Sequence, residues 1–182
     1  MRRTSRLPLI LFVLGLFTAC TASHANPLTP APAVESATPA PTVDVPAILW
    51  AVGDAATCRS KNDDAVAAFL AQQPGTIALL GDVVYERGTA AEFADCFDPL
   101  YGRSKERLRP TVGNHEYGSR NARPYFDYFG ASAGLPGQGW YSYDLGAWHI
   151  VVLNSNCKSV GGCDETSPQY QWLRADLAAH PT

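Results

Sequence analysis

The sequence predicts an α/β fold from residue 47 onward, and three observations carry that reading. Apolar runs of strand length occur at 47–53 ("AILWAVG"), 76–81 ("TIALLG") and 107–113 ("RLRPTVG"). Each ends in glycine followed by a polar residue. Helix-like stretches separate the runs, and two alternating segments and a well-capped helix follow them. The order is βαβαβ, then a hairpin, then a helix, which calls for an open sheet with parallel strands.

The elements are justified in turn. The run at 47–53 is continuously apolar, the pattern of a strand buried on both faces. "NDDAVAAFLAQQ" is predicted helical, with Asn62 or Asp63 as N-cap and Val66, Phe69 and Leu70 on one face. "TIALLG" is a second buried strand. Thr89 and Glu92 stand at capping-box spacing, so a helix starts there. "RLRPTVG" is a third, shorter strand. "NARPYFDYFG" is a short helix whose Tyr125, Phe126, Tyr128 and Phe129 are core or interface aromatics. "WYSYDLG" and "AWHIVVLNS" alternate and abut through Gly146, a hairpin pattern. Ser167 as N-cap and Pro168 at the first helical position open the last helix.

Ahead of this domain, residues 1–20 ("MRRTSRLPLILFVLGLFTAC") have the layout of a signal peptide: Arg2, Arg3 and Arg6, an apolar run, then small residues. The run is too short for a permanent span. "FTAC" has the form of a lipoprotein box, with cleavage before Cys20 and lipid on its thiol; "SHA" before Asn26 would instead give ordinary cleavage. The protein is therefore expected to be exported, as a cell-envelope lipoprotein or a secreted protein, touching membrane only through that anchor or the signal peptide. Residues 21–46 are rich in Pro, Ala and Thr and read as an extended tether before the domain at 47–182.

Four cysteines remain in the domain, an even number that suits disulfides in an exported chain. They allow three pairings. Cys157 and Cys163 bracket a Gly-Gly loop and are placed to pair locally, which leaves Cys58 with Cys96. A zinc site is the competing use, without C-x-x-C spacing. The formal charge of −3 and the absence of a basic cluster in the domain give no support to nucleic-acid binding.

In an open parallel sheet, ligands bind beyond the carboxyl ends of the strands. Asp54, Asp82 and Asn114 all stand there, each after a glycine that lets the backbone turn. Two carboxylates, an amide oxygen and the nearby Tyr85 phenol make an oxygen-rich cage for hard cations. Paired ions of that kind activate water and clamp a phosphoryl group. Taken singly, Asp82 and Asn114 would be ordinary turn residues; their recurrence with Tyr85 and His115 favours a site.

"GD" at 53–54, "GDVVY" at 81–85 and "GNHE" at 113–116 resemble, in order, the first three motif blocks of the calcineurin-like metallophosphoesterases. The Gly-Asp-x-x-Tyr form resembles the purple acid phosphatase branch, and "YSYDLGAWHIVVLNS" and "QYQWLRADLAAH" resemble its exported bacterial members. The resemblance implies a layered α-β-β-α sandwich, of which βαβαβ, hairpin and helix would be the N-terminal part. It implies two divalent or trivalent metal ions, iron with iron, zinc or manganese, and hydrolysis of a phosphate ester, monoester or diester. Residue by residue, it implies that Asp54 binds the first metal and Asp82 bridges both. Tyr85 binds the first metal as phenolate, and Asn114 binds the second. His115 stays off the metals, near the substrate, to steady phosphate or protonate the leaving oxygen. Glu116 either orients His115 or faces solvent.

The sequence departs from the family pattern at Asp54-Ala55-Ala56, which offers no first-block histidine and makes Tyr85 the more needed as a donor. The family's later blocks supply three further histidines. His24 in the leader, His149 in an apolar hairpin strand and His180 at a helix end do not take those places. His149 is expected to be a packed structural residue, and His180 suits the helix dipole. The expectation is an N-terminal part or truncated copy of a phosphoesterase, with weak activity of its own. The rival expectation is a non-catalytic envelope lipoprotein that uses the fold for binding or as a scaffold.

Overall fold

The structure is a computed structural model that describes residues 47–181, the Asn62 side chain excepted. The leader, its lipobox Cys20, His24 and the tether at 21–46 lie outside the described residues. The mixed α/β architecture expected from sequence is present. β1 (Leu49–Val52), β2 (Thr76–Leu80) and β3 (Leu108–Thr111) form a parallel sheet in the order β1-β2-β3. Trp50 pairs with Ile77, and Ile77 with Leu108. β4 (Tyr141–Leu145) and β5 (Trp148–Val152) form a separate antiparallel hairpin, turning at Gly146, whose φ is +61°. Among the described residues no helix is long and apolar enough to cross a membrane.

The continuous apolar runs suggested strands buried on both faces, and the structure corrects this. Side chains alternate across a strand, and here only one face is closed. Ile77, Leu79 and Leu108 are fully buried, whereas Leu49 is 40% and Leu80 60% exposed on the other face. The closed face packs on aromatic residues from two segments. The capping box at Thr89 is formed as expected, but its helix α2 (Ala90–Glu92) passes into a π-helical turn, Phe93–Phe97, and then α3 (Asp98–Tyr101). Phe93, Phe97 and Tyr101 meet Tyr125, Tyr128 and Phe129 of α4 (Arg123–Phe129) in one aromatic layer, for example Phe97 on Phe129 at 5.6 Å and Tyr125 on Phe129 at 5.1 Å. Tyr125, Phe126 and Phe129 are therefore core, and Tyr128 packs against it partly buried. Pro110 lies in β3, an edge strand, where its missing N–H costs no ladder bond. Its carbonyl accepts from the Tyr125 and Tyr141 phenols at 3.0 and 2.9 Å.

Helix α1 (Asn62–Gln72) departs from its expected details. Lys61 is the N-cap, because Asp63 lies one residue inside and its carboxylate accepts from the Thr57 amide at 2.7 Å. Ala67 and Leu70 are buried, while Val66 and Phe69 are about half exposed, Phe69 resting edge-on against Trp50. Arg107 closes the far end by donating to the carbonyls of Leu70 and Gly75, which answers the orphan acceptors of a helix C-terminus.

At the C-terminal side, α5 (Pro168–Ala179) starts as expected, with the Ser167 hydroxyl accepting from the Tyr170 amide at 3.3 Å. Buried Asn154, just past β5, ties three segments together. Its side-chain amide donates to the Tyr117 phenol and the Gln138 carbonyl, and its backbone exchanges two bonds with the Gln169 amide. Both disulfides are formed: Cys58–Cys96 with Cα atoms 5.3 Å apart, and Cys157–Cys163 at 5.2 Å.

Candidate metal centre

The loops leaving β1, β2 and β3 converge on one edge of the sheet. Asp54 and Asp82 have φ of +51° and +47°, left-handed values that non-glycine residues rarely take. Holding each there costs on the order of 1–3 kcal/mol, a strain concentrated at functional positions. The conformation turns both carboxylates out of the strand direction toward the same point. The Tyr85 phenol donates to Asp54 Oδ1, and its oxygen also lies 3.3 Å from Asp82 Oδ2. The other Asp82 oxygen accepts from the His115 amide at 3.0 Å. Asn114 lines the same cleft, of about 450 Å³, with Asp54, Asp82 and Ser155. The structure thus brings Asp54, Asp82, Tyr85 and His115 into contact and places Asn114 beside them.

Backbone geometry fixes this convergence. The Asp54 and Ala55 amides donate to the carbonyls of Gly81 and Asp82, and the Tyr85 amide to that of Ala56, so the first two loops run side by side. The Cys58–Cys96 disulfide ties the first loop to the π-helical turn. Gly113 has no room for a side chain: a Cβ there would stand 2.1 Å from the Asp82 amide nitrogen and from Asp82 Oδ1. Only glycine lets the third loop approach the central carboxylate so closely.

Glu116 has a role that neither sequence expectation gave it. It is fully buried and does not orient the His115 ring or face solvent. Its Oε1 accepts from the Val84 amide at 3.2 Å and its Oε2 from the Gly113 amide at 2.7 Å. One carboxylate thereby ties the second loop to the third. Burial pushes its pKa up, against those two amides and with help from the Asp82 charge. Glu92 acts similarly on the segment after Tyr85, accepting from the amides of Glu86, Arg87 and Thr89. Burial alone would raise its pKa, but the bonds it accepts outweigh this and hold the carboxyl below its ordinary value. The capping-box spacing was the only sequence sign of Glu92, and the block "GNHE" contained Glu116 without revealing that it ties two loops together.

The His115 ring lies 4.1 Å from the Tyr85 ring, centroid to centroid, and its Nδ1 is 2.7 Å from the Glu86 carbonyl oxygen. A carbonyl only accepts, so Nδ1 carries a proton and Nε2 is the acceptor nitrogen of the neutral ring. Tyr85 is held far above its ordinary pKa, first by the hydrogen bond to Asp54, then by burial and the Asp82 charge. Two carboxylates and a phenol are crowded together, and among the described residues no cationic side chain lines the cleft. That donor set fits a hard cation, which would relieve the repulsion and draw the phenol toward phenolate.

His149 and His180 lie outside this cleft. His149, expected to be a packed structural residue, is partly buried and bonds Asp144 and Asp176, and His180 bonds the Asp176 carbonyl at the end of α5. Comparison with protein-family models gives no match for the chain, and no curated protein matches it.

Proposed function

We propose that the chain hydrolyses phosphoric esters at a two-metal site on the edge of the β1-β2-β3 sheet. The observation that supports this most is the convergence of Asp54 and Asp82, both in left-handed backbone, on the Tyr85 phenol. Asp54, Asp82, Tyr85 and Asn114 would hold the ions, iron with iron, zinc or manganese, Asp82 serving both. When bound, such ions activate water and neutralise phosphoryl charge. Asp82 also fixes the His115 backbone, and the Glu86 carbonyl fixes the tautomer of its ring. His115 Nε2 is thereby presented to the substrate, to steady a phosphoryl oxygen or protonate the leaving group. Glu116 and Glu92 keep the loops in register.

The exposed face carrying Leu49 and Leu80 supports reading the fold as part of a metallophosphoesterase-type α-β-β-α sandwich, in which that face is covered by a second sheet. The donors are all oxygens and give roughly two or three protein bonds per ion, so the ions are held loosely and turnover is slow. The test is hydrolysis of p-nitrophenyl phosphate by the purified chain with added iron, zinc or manganese. Metal-dependent turnover lost in Asp82→Ala, and reduced in His115→Ala with metal retained, supports the proposal. Metal binding without any turnover, in every metal, would favour the non-catalytic envelope lipoprotein.

A further inference from the structure

A second cluster of metal-ligating side chains lies on the hairpin and α5, away from the cleft. His149 of β5 sits between two carboxylates: its Nδ1 is 2.7 Å from Asp144 of β4 and its Nε2 is 2.8 Å from Asp176 of α5. Asp176 is nearly buried, its side chain 10% exposed, and is fixed by a 2.6 Å bond from the Ser142 hydroxyl. The His180 ring stacks on that of His149 at 3.7 Å and 14°, with its Nδ1 2.8 Å from the Asp176 carbonyl oxygen. One donor atom each from Asp144, His149 and His180 lie within 4.8 Å of one another.

We propose that Asp144, His149 and His180 form a separate binding site for a divalent transition ion of the zinc class. The protonation pattern supports it. His180 Nδ1 faces a carbonyl, so it carries the proton and leaves Nε2 as a donor. His149 Nε2 donates to the firmly held Asp176, which leaves Nδ1, facing Asp144, as its metal-binding nitrogen. Each ligating imidazole thus has its other nitrogen anchored on a fixed oxygen, the arrangement that orients histidine on zinc. Two imidazoles and one carboxylate match that ion's preferences, with a fourth position left for water. Asp144 and His180 are the exposed members; because stacked rings 14° apart do not aim their in-plane lone pairs at one ion, His180 turns out of the stack about its Nδ1 bond to the Asp176 carbonyl when metal binds. Without metal, the hydrogen bonds to Asp144 and then Asp176 raise the His149 pKa and favour a proton on Nδ1. Metal binding therefore competes with that proton and weakens as pH falls. The ion would join both hairpin strands to the end of α5, and the site does not depend on the phosphoesterase reading.

The test uses the full chain carrying Asp82→Ala, which disables the cleft, titrated with zinc alone. Binding is read by calorimetry, and the imidazole resonances of the four histidines are followed by NMR. The expected result is one zinc per chain, with the His149 and His180 resonances shifting together. His180→Ala, at an exposed helix end, should weaken binding on the order of ten- to a hundred-fold with the circular dichroism unchanged. Asp144→Asn should weaken it as well, a second variant that leaves both imidazoles in place. Zinc affinity unchanged by both substitutions, or saturation with zinc that leaves the His149 and His180 resonances where they were, would overturn the proposal.

Discussion

Replacing Glu116 by alanine should loosen two of the three site loops at once. The carboxylate is fully buried and is the acceptor for the Val84 and Gly113 amides, at 3.2 and 2.7 Å. Each amide left without a partner costs about 1–3 kcal/mol. The one lost methylene adds roughly 0.8 kcal/mol. Against this stands the relief of a buried charge, whose cost is visible in the raised pKa of Glu116. The net expectation is about 3–5 kcal/mol of lost stability. Urea unfolding reads the loss, and amide exchange localises it, because Val84 and Gly113 should lose protection first. Glu116→Gln keeps the shape and one acceptor and removes the charge, so its cost should be smaller, about 0–2 kcal/mol. The pH dependence has a definite sign. A carboxyl whose folded pKa is raised favours folding most when protonated, so its share is lost as pH rises through the folded value. Wild type should therefore decline with rising pH relative to Glu116→Gln. An alanine variant with unchanged urea midpoint and unchanged exchange at both amides would refute this account of the loops.

Breaking Cys58–Cys96 by a double serine substitution opens a closed loop of 38 residues; about 4 kcal/mol of stability should be lost, measured by denaturant unfolding without reductant. Gly113→Ala should abolish metal binding at the cleft, since its Cβ would stand 2.1 Å from Asp82 Oδ1, and calorimetry against manganese would show it. His149 should titrate above its ordinary pKa by NMR, because Asp144 and Asp176 raise it. The hairpin–α5 contact should be strongest below the unfolded value and weaken as pH rises through the folded one, and Asp144→Asn should move the midpoint down.

The strand ends were legible because a glycine and a polar residue after an apolar run mark a turn, as at Gly53-Asp54 and Gly81-Asp82. The left-handed backbone of the two aspartates was not, because side-chain identity does not set φ at a non-glycine residue. The local disulfide was readable from the six-residue spacing of Cys157 and Cys163, and the other followed from it. Glu116 was misjudged because, although Gly113 is three residues before it, its other partner Val84 is a tertiary matter 32 positions away. The cap of helix α1 fell on Lys61 rather than on Asn62 or Asp63, and the Asp63 carboxylate is taken up by the Thr57 amide six residues upstream. An apolar run such as 76–81 cannot reveal whether one face or both will be covered, and Leu80 proved exposed. His149 and His180 looked like unrelated residues because only the docking of α5 on the hairpin stacks their rings.

The central claim is that Asp54, Asp82 and Tyr85 together hold a hard cation. Titrating the full chain with ferric iron, with visible absorption and metal content read on the same samples, tests it most directly. The account predicts a phenolate-to-iron charge-transfer band in wild type, since the cation reverses the pressure that Asp54 puts on the Tyr85 phenol. Tyr85→Phe should lose the band and retain some iron, and Asp82→Ala should lose both. Iron bound by wild type with no such band, or a band that survives Asp82→Ala, would contradict it.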